Sequence, residues 1–527
     1  MGRKILFVTT DQQRCDSLGC NGGTIARTPV VDGLAASGVR YERAYNQNTV
    51  CMPARSTMLT GQYVRTHGVV ANGIPLPVDA PSIAAYLGEH GYRTALLGKA
   101  HFEPGFDPHL KWEENRRGHD GDTGPWRGFE RSIQAMHAAA FGQHPIQHYG
   151  RWIAEQHPEH LDSFGPLLGA TPGGDTGAPE AKHNPIPREW YHTDWIADLV
   201  IDWLDSLDPD EDWFCWMSFP DPHHPWDPPE SEMSRVNWRD LDLPPGHPGS
   251  DDAIREVLAG KPAHWLAYWE GRWANVEGGP AVFQPGRLTH DQIREINART
   301  HVMVELIDEA LGRVLGHVDR LGWSNDLDVV FTTDHGELQG DFGLVYKGPF
   351  HVDSLMRLPL VWRPAPSAAV EPAVVSDPVG QIDLAATFCE IAGVPVPDWC
   401  QGEPLPSADG NVGRERMICE WDSQFPGYGM HLRSIYRDGW MCTSYDPSTG
   451  GQPNGLEEMM GESILTPGPI QYDGTEGELY NLADDPHQFH NLWDDPARRA
   501  IRDDLVADLR DTLADLPTRS LKVEAPA

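Results

Sequence analysis

The chain has 527 residues, of which 39% are hydrophobic and 23% charged, the balance of a globular protein with a large core and more than one domain. Its formal net charge of −37 argues against nucleic acid and membrane surfaces as partners, since both repel an acidic exterior. A site for a small anion in such a chain must supply its own positive charge.

Ile5-Leu6-Phe7-Val8 is too short for the apolar part of a secretory signal, and no segment reaches the length of a membrane span. A cytoplasmic chain is therefore expected. The same run belongs to a predicted strand over 4–10 that ends in Asp11-Gln12. Cys51-Met52-Pro53-Ala54-Arg55 then puts a thiol, a rigid bend and a planar cation in one short segment. Residues 56–59 read as the start of a helix, whose amino end favours anions. A short helix follows over 82–89, with Ser82 as its cap, and then a strand over 94–97 before Gly98-Lys99-Ala100-His101. On an extended segment Lys99 and His101 point to the same side. A helix over 194–206 precedes a strand over 213–219 and the polar turn Asp221-Pro222-His223. A longer helix over 292–320, with Thr289 and Gln292 as a capping box, precedes a strand over 328–333 and Asp334-His335.

Strands that alternate with helices and deliver polar residues at their carboxyl ends predict an α/β fold with a doubly wound, mostly parallel sheet. Residues 103–188 and 225–286 are rich in Gly, Pro, His and Trp and read as insertions that shape a pocket. The first domain is expected over 1–405. From 406 to 527 the pattern changes to a hairpin at Asp438-Gly439, a strand over 478–482, an amphipathic helix over 496–516 and a tail from Arg519. The eight cysteines show no metal-finger spacing, so free thiols are expected.

The segment from Cys51 to Gly61 resembles the sulfatase signature C-x-P-x-R-x-x-x-x-T-G at every defined position. Four further matches follow the same family. Asp11-Gln12 and Asp334-His335 resemble its metal site, and Gly98-Lys99-Ala100-His101 its K-x-H element. Pro222-His223-His224-Pro225 resembles its P-H-x-P element, and Lys347 its distal lysine. The resemblance implies an alkaline-phosphatase-like sheet flanked by helices, followed by a smaller antiparallel sheet-and-helix subdomain. It also implies that Cys51 is oxidised to formylglycine by a maturation enzyme. Asp11, Gln12, Asp334, His335 and the modified Cys51 would hold one divalent metal ion. Calcium suits the carboxylate oxygens and manganese the imidazole.

In that family Lys99, Lys347, Arg55 and the metal would cancel the charge of a bound sulfate monoester. One hydroxyl of the hydrated aldehyde would attack sulfur, and the second would expel sulfate with His101 as base. His223 or Lys347, near the leaving oxygen, would protonate the departing alcohol. The expected activity is hydrolysis of an organic sulfate monoester, a small-molecule substrate, to alcohol and inorganic sulfate. Two rivals stay open. Gln12 and His335 also resemble choline sulfatases and phosphonate monoester hydrolases, so a phosphonate monoester or phosphodiester hydrolase is one, opposed by Lys99 and His101. A non-catalytic anion-binding relative is the other, opposed by Cys51. Oligomeric state stays open, a homo-oligomer included.

Overall fold

The computed structural model describes residues 3–105, 107, 109–141, 144–165, 172–273, 283–408, 414–423, 430–447 and 470–525. Its centre is an eight-stranded sheet built from β1 (Lys4–Thr10), β2 (Val39–Tyr41), β3 (Arg93–Gly98), β4 (Arg131–Gln134), β5 (Trp213–Ser218), β6 (Leu327–Thr333), β7 (Leu360–Arg363) and β8 (Ala373–Val375). The order across the sheet is β8-β2-β7-β6-β1-β5-β3-β4. Within this sheet β7 pairs antiparallel with β6 and β2, and the other pairings are parallel.

β1 shows why the sheet is covered on both faces. Leu6 and Val8 point into one core with Leu97, Cys215, Met217, Val329 and Phe331. Ile5 and Phe7 point into a second core with Leu96, Phe214, Trp216 and Val330. A strand buried on both faces reads as a continuous apolar run, as this one does. The first core is closed by α3 (His192–Asp205) and α4 (His290–Arg320), the second by α1 (Cys51–Thr60), α2 (Ile83–Glu89) and α5 (Leu384–Ala392). The fold is alkaline-phosphatase-like, with a mostly parallel central sheet between helical layers and a small separate antiparallel sheet near the carboxyl end.

That second sheet runs β9-β10-β11-β12, from Arg416–Asp422, His431–Arg437, Trp440–Asp446 and Gly477–Asn481. Asp438 and Gly439 turn the central hairpin with φ of 53° and 78°, the conformation an Asp-Gly turn favours. α6 (Arg499–Ala514) buries Leu505, Leu509 and Leu513 against this sheet, and Tyr45, Tyr63, Met356 and Ile382 join the same core.

Several expectations hold and others shift. The strands over 4–10, 94–97, 213–219 and 328–333, the Ser82 cap and the Thr289–Gln292 capping box are all present. The helix expected from residue 56 begins at Cys51 instead. Pro53 lies in its first turn, where backbone N–H groups have no partner within the helix, so its missing donor costs nothing. The stretch 103–188 is not wholly an insertion, because β4 comes from it and pairs with β3, Ala95 opposite Arg131. Part of the 225–286 stretch and the last residues of the expected tail lie outside the described residues. The described part of that tail is bonded to the body, with Arg519 N–H donating to Arg65 O at 2.8 Å and Glu524 N–H to Gly73 O at 2.9 Å. Among the described residues no helix is long and apolar enough to cross a membrane, and all eight cysteines are unbridged.

Candidate active site

β1, β3, β4, β5 and β6 run parallel, and the segments that leave their carboxyl ends converge. Beyond β1, Gln12 takes a φ of 63° and its N–H donates to Asp334 Oδ1 at 3.0 Å, joining the ends of β1 and β6. β3 ends at Gly98, with φ of 111°, and a Cβ there would lie 1.8 Å from Ser218 O. Only glycine permits the close turn that carries Lys99 into the interior. Cys51 opens α1 directly after extended Val50, and the helix closes on Gly61 in the left-handed region. Asn72 Oδ1 takes the free N–H of Met52 at 3.0 Å, which satisfies one of the unbonded groups of that helix start.

These elements bring Asp11, Cys51, Asp334 and His335 together, all buried, with ligand atoms within 4.8 Å of one another. Cys51 Sγ lies 3.2 Å from His335 Nε2 and 3.7 Å from Asp11 Oδ1. His335 Nδ1 lies 2.9 Å from the Gly336 carbonyl, which can only accept. Nδ1 therefore carries the proton, and Nε2 faces the cluster as a lone pair. Two carboxylates, a neutral imidazole nitrogen and a sulfur form a donor set that fits a divalent cation. Gln12 stands beside it. Its Nε2 donates to Glu337 Oε2, which turns Oε1 toward Lys347 Nζ at 2.8 Å.

Lys347 Nζ also lies 3.0 Å from Cys51 Sγ, so this lysine sits at the nucleophile position. Although burial acts to lower it, the neighbouring Cys51, Asp11 and Asp334 hold the Lys347 ammonium above its ordinary pKa. Burial, then the Asp11 carboxylate, pushes the Cys51 thiol up. Asp11 itself stays well below the usual carboxylate range, because Lys99 and Arg55 outweigh its burial.

Arg55 differs from expectation. Its Nε donates to Asp334 Oδ2 at 2.9 Å, one terminal nitrogen to Lys99 O at 3.0 Å and Ser218 Oγ at 2.9 Å, and the other to Thr10 O and Asp11 Oδ2 at 3.3 Å each. A guanidinium has five N–H groups, and all are committed to the protein. Arg55 orients the two carboxylates and leaves no donor for a substrate oxyanion.

Lys99, fully buried, pairs with Asp11 and lies 2.7 Å from His137 Nε2. His137 stacks on His223 with ring centres 3.7 Å apart and planes within 12°. His223 stacks in turn on His224 at 3.9 Å, and its Nδ1 donates to the His224 carbonyl. Burial, then His137, keeps His223 well below the ordinary histidine pKa. The segment around His101 is not extended, so the simple alternation expected for Lys99 and His101 does not apply: φ is 57° at His101. Glu114 pins this turn by accepting the N–H groups of His101, Phe102 and Glu103 at 2.9, 3.0 and 3.2 Å. Among the described residues His101 Nδ1 has no partner. Burial, then Lys99, lowers its pKa well below the ordinary value.

Ten residues picked out from sequence thus converge: Asp11, Gln12, Cys51, Arg55, Lys99, His101, His223, Asp334, His335 and Lys347. His67 is apart from them, bonded to Thr57 Oγ1 at 3.1 Å and to the Val69 N–H at 3.1 Å, a structural role. Sequence reasoning missed Glu337, which sits two positions after His335, and His137, whose short strand lay hidden in the Gly- and Trp-rich stretch.

A model of the sulfatase family matches residues 3–394. The chain belongs to the sulfatase family. Its relatives include an arylsulfatase and a choline-sulfatase, which are sulfuric ester hydrolases, and together its relatives extend along nearly its whole length. It is 25% identical to the uncharacterized sulfatase YidJ of Escherichia coli (strain K12), over 98% of this chain and 88% of that protein. It is 23% identical to a choline-sulfatase of Rhizobium meliloti (strain 1021), over 80% of this chain and 74% of that protein. Its fold matches the crystal structure of a phosphonate monoester hydrolase of Agrobacterium radiobacter with a TM-score of 0.73 and 23% identity, over 97% of this chain and 95% of that one.

Proposed function

We propose that this sulfatase hydrolyses an organic sulfate monoester to alcohol and inorganic sulfate, with formylglycine derived from Cys51 and one divalent metal ion. The observation that carries the reading is the position of Cys51: buried at the start of α1, it lies within 3.0 Å of Lys347 Nζ and 3.2 Å of His335 Nε2. Cys51 Sγ marks the direction in which the oxygens of a modified residue would point. Asp11, Asp334, His335 and the modified residue would hold the metal, with Gln12 Oε1 alongside. The metal would supply Lewis acidity to a bound ester oxygen, and formylglycine hydrate the attacking hydroxyl.

The chain's own groups divide the remaining work. Lys347 neutralises charge at the nucleophile, and Lys99 neutralises a sulfuryl oxygen from the Asp11 side. Arg55 acts through Asp11 and Asp334. His101 is the candidate base, since its Nδ1 is uncommitted. His223 uses Nδ1 toward a carbonyl, which leaves Nε2 to meet the leaving oxygen. Its ring is neutral in the substrate-free site and gains its proton with the anionic substrate, whose charge favours the imidazolium.

A second reading, a phosphonate monoester or phosphodiester hydrolase, is supported by Gln12 and His335 and by the fold shared with the phosphonate monoester hydrolase. Lys99 opposes it. The same test serves both readings: measure the mass of the Cys51 peptide, then compare kcat/KM for aryl sulfates and aryl phosphodiesters with the same metal-loaded enzyme. Cys51 converted and sulfate esters preferred supports the first reading. A dominant phosphodiesterase rate selects the second. An unmodified thiol, from a host able to convert it, removes both.

A further inference from the structure

β4 sends a fifth strand end into the site, and the residue it delivers is His137. Ala135 extends the pairing with β3 by donating its N–H to Gly98 O at 3.2 Å, and the chain then turns inward. His137 is buried, 3% exposed. Its Nε2 is 2.7 Å from Lys99 Nζ. An ammonium has no lone pair, so the ring nitrogen must accept and the ring proton resides on Nδ1. The other side of Lys99 is taken by Asp11. The ammonium is thereby held between one carboxylate and one imidazole.

Asp11, His137 and His223 also have ligand atoms within 4.8 Å of one another, the arrangement of a three-ligand metal site. Lys99 already bonds two of those three groups, so the resident cation at this position is its ammonium. The parallel stack of His137 on His223, 3.7 Å between centres, adds a second constraint. One ring fixes both the cation and the imidazole assigned to the leaving group.

We propose that His137 is a positioning residue of the anion site: Nε2 aims the Lys99 ammonium, and the ring face aligns His223. Its effect on turnover rests on the sulfate-ester reading above, whereas its effect on anion binding does not.

Three variants test it in the metal-loaded enzyme. His137→Gln can place a carbonyl oxygen where Nε2 stands. His137→Asn is polar but one methylene short of Lys99. His137→Phe keeps a ring against His223 and offers no acceptor. Inorganic sulfate binding is measured by calorimetry, kcat and KM with an aryl sulfate, and thermal stability for each. The expected result is a loss of sulfate affinity of roughly tenfold or more in His137→Asn and His137→Phe, as for loss of a charge-assisted hydrogen bond. His137→Gln should recover most of that loss, and His137→Phe should retain more kcat than His137→Asn because the stack persists. Parental sulfate affinity and kcat/KM in both His137→Asn and His137→Phe would overturn the inference. So would losses in all three that follow their thermal stability alone. A parent that binds sulfate and loses it in His137→Asn, yet turns over no sulfate ester, upholds His137 and removes the sulfatase reading instead.

Discussion

Lys347 Nζ bridges Cys51 Sγ at 3.0 Å and Gln12 Oε1 at 2.8 Å, which ties the nucleophile position to the flank of the metal-ligand cluster. An ammonium held there by buried partners needs no reorganisation as negative charge develops. Lys347→Met, similar in length but uncharged, should lower kcat by roughly 10²–10³-fold. Thermal stability should change far less than activity. A kcat within a factor of two of the parent would place Lys347 outside the chemistry.

Arg55→Lys should be the most destabilising conservative change in the site. Lysine brings three donors where Arg55 uses five, and it cannot span Asp11, Asp334, Ser218 and two carbonyls. Buried acceptors left without donors cost about 3–5 kcal/mol when a buried charge partner is lost. The urea midpoint should drop sharply, and metal affinity with it. Unchanged stability with reduced turnover alone would show that Arg55 serves the substrate instead.

Glu337 aims Gln12 and also accepts the Gln339 N–H at 3.1 Å. Partners of this kind typically change metal affinity by about 10–100-fold. Glu337→Ala should therefore weaken metal binding, measured by chelator competition, while the substrate KM at saturating metal stays near the parental value. Chelation of the parent should abolish turnover, and the ion that restores the highest rate identifies the metal.

Acid should unfold this chain early. Burial holds the fully buried His67, His192 and His351 at about 3 and His264 at about 4, against the ordinary 6.5. The unfolded chain thus binds protons between pH 6.5 and about 3 that the folded chain does not. The stability from these neutral rings is present above pH 6.5 and is lost as pH falls through that window. Their contribution should pull the urea midpoint down from pH 7 to pH 4, offset in part by Glu114 and Asp221, whose carboxyls burial pushes up to about 7. His67→Gln, which keeps polar atoms for Thr57 and Val69, should flatten part of that decline. An identical pH dependence in the variant would remove His67 from the account.

Local patterns carried much of the fold. β1, β5 and β6 are apolar runs ending in polar pairs, and nothing short of burial on both faces explains such runs. Asp438-Gly439 carried its own turn, and Thr289 with Gln292 its own cap. The start of α1 was less legible, since Pro53 is read as a bend although the first helical turn tolerates it. β4 was hidden because a four-residue edge strand has too little periodicity to stand out from the irregular stretch around it.

By itself, the sequence determined which chemical types are present and where they fall along the chain: Asp11 and Gln12, Cys51 and Arg55, Lys99 and His101, His223, Asp334 and His335, Lys347. Those identities depend on short spacings, and spacing is written along the chain. The tertiary structure alone decided what each group faces. It committed all the Arg55 donors to protein, set Lys347 on Cys51, and brought His137 to Lys99 from a strand at the edge of the sheet. Such contacts join residues far apart in sequence, and their partners are fixed by how strands pack, which no local spacing records.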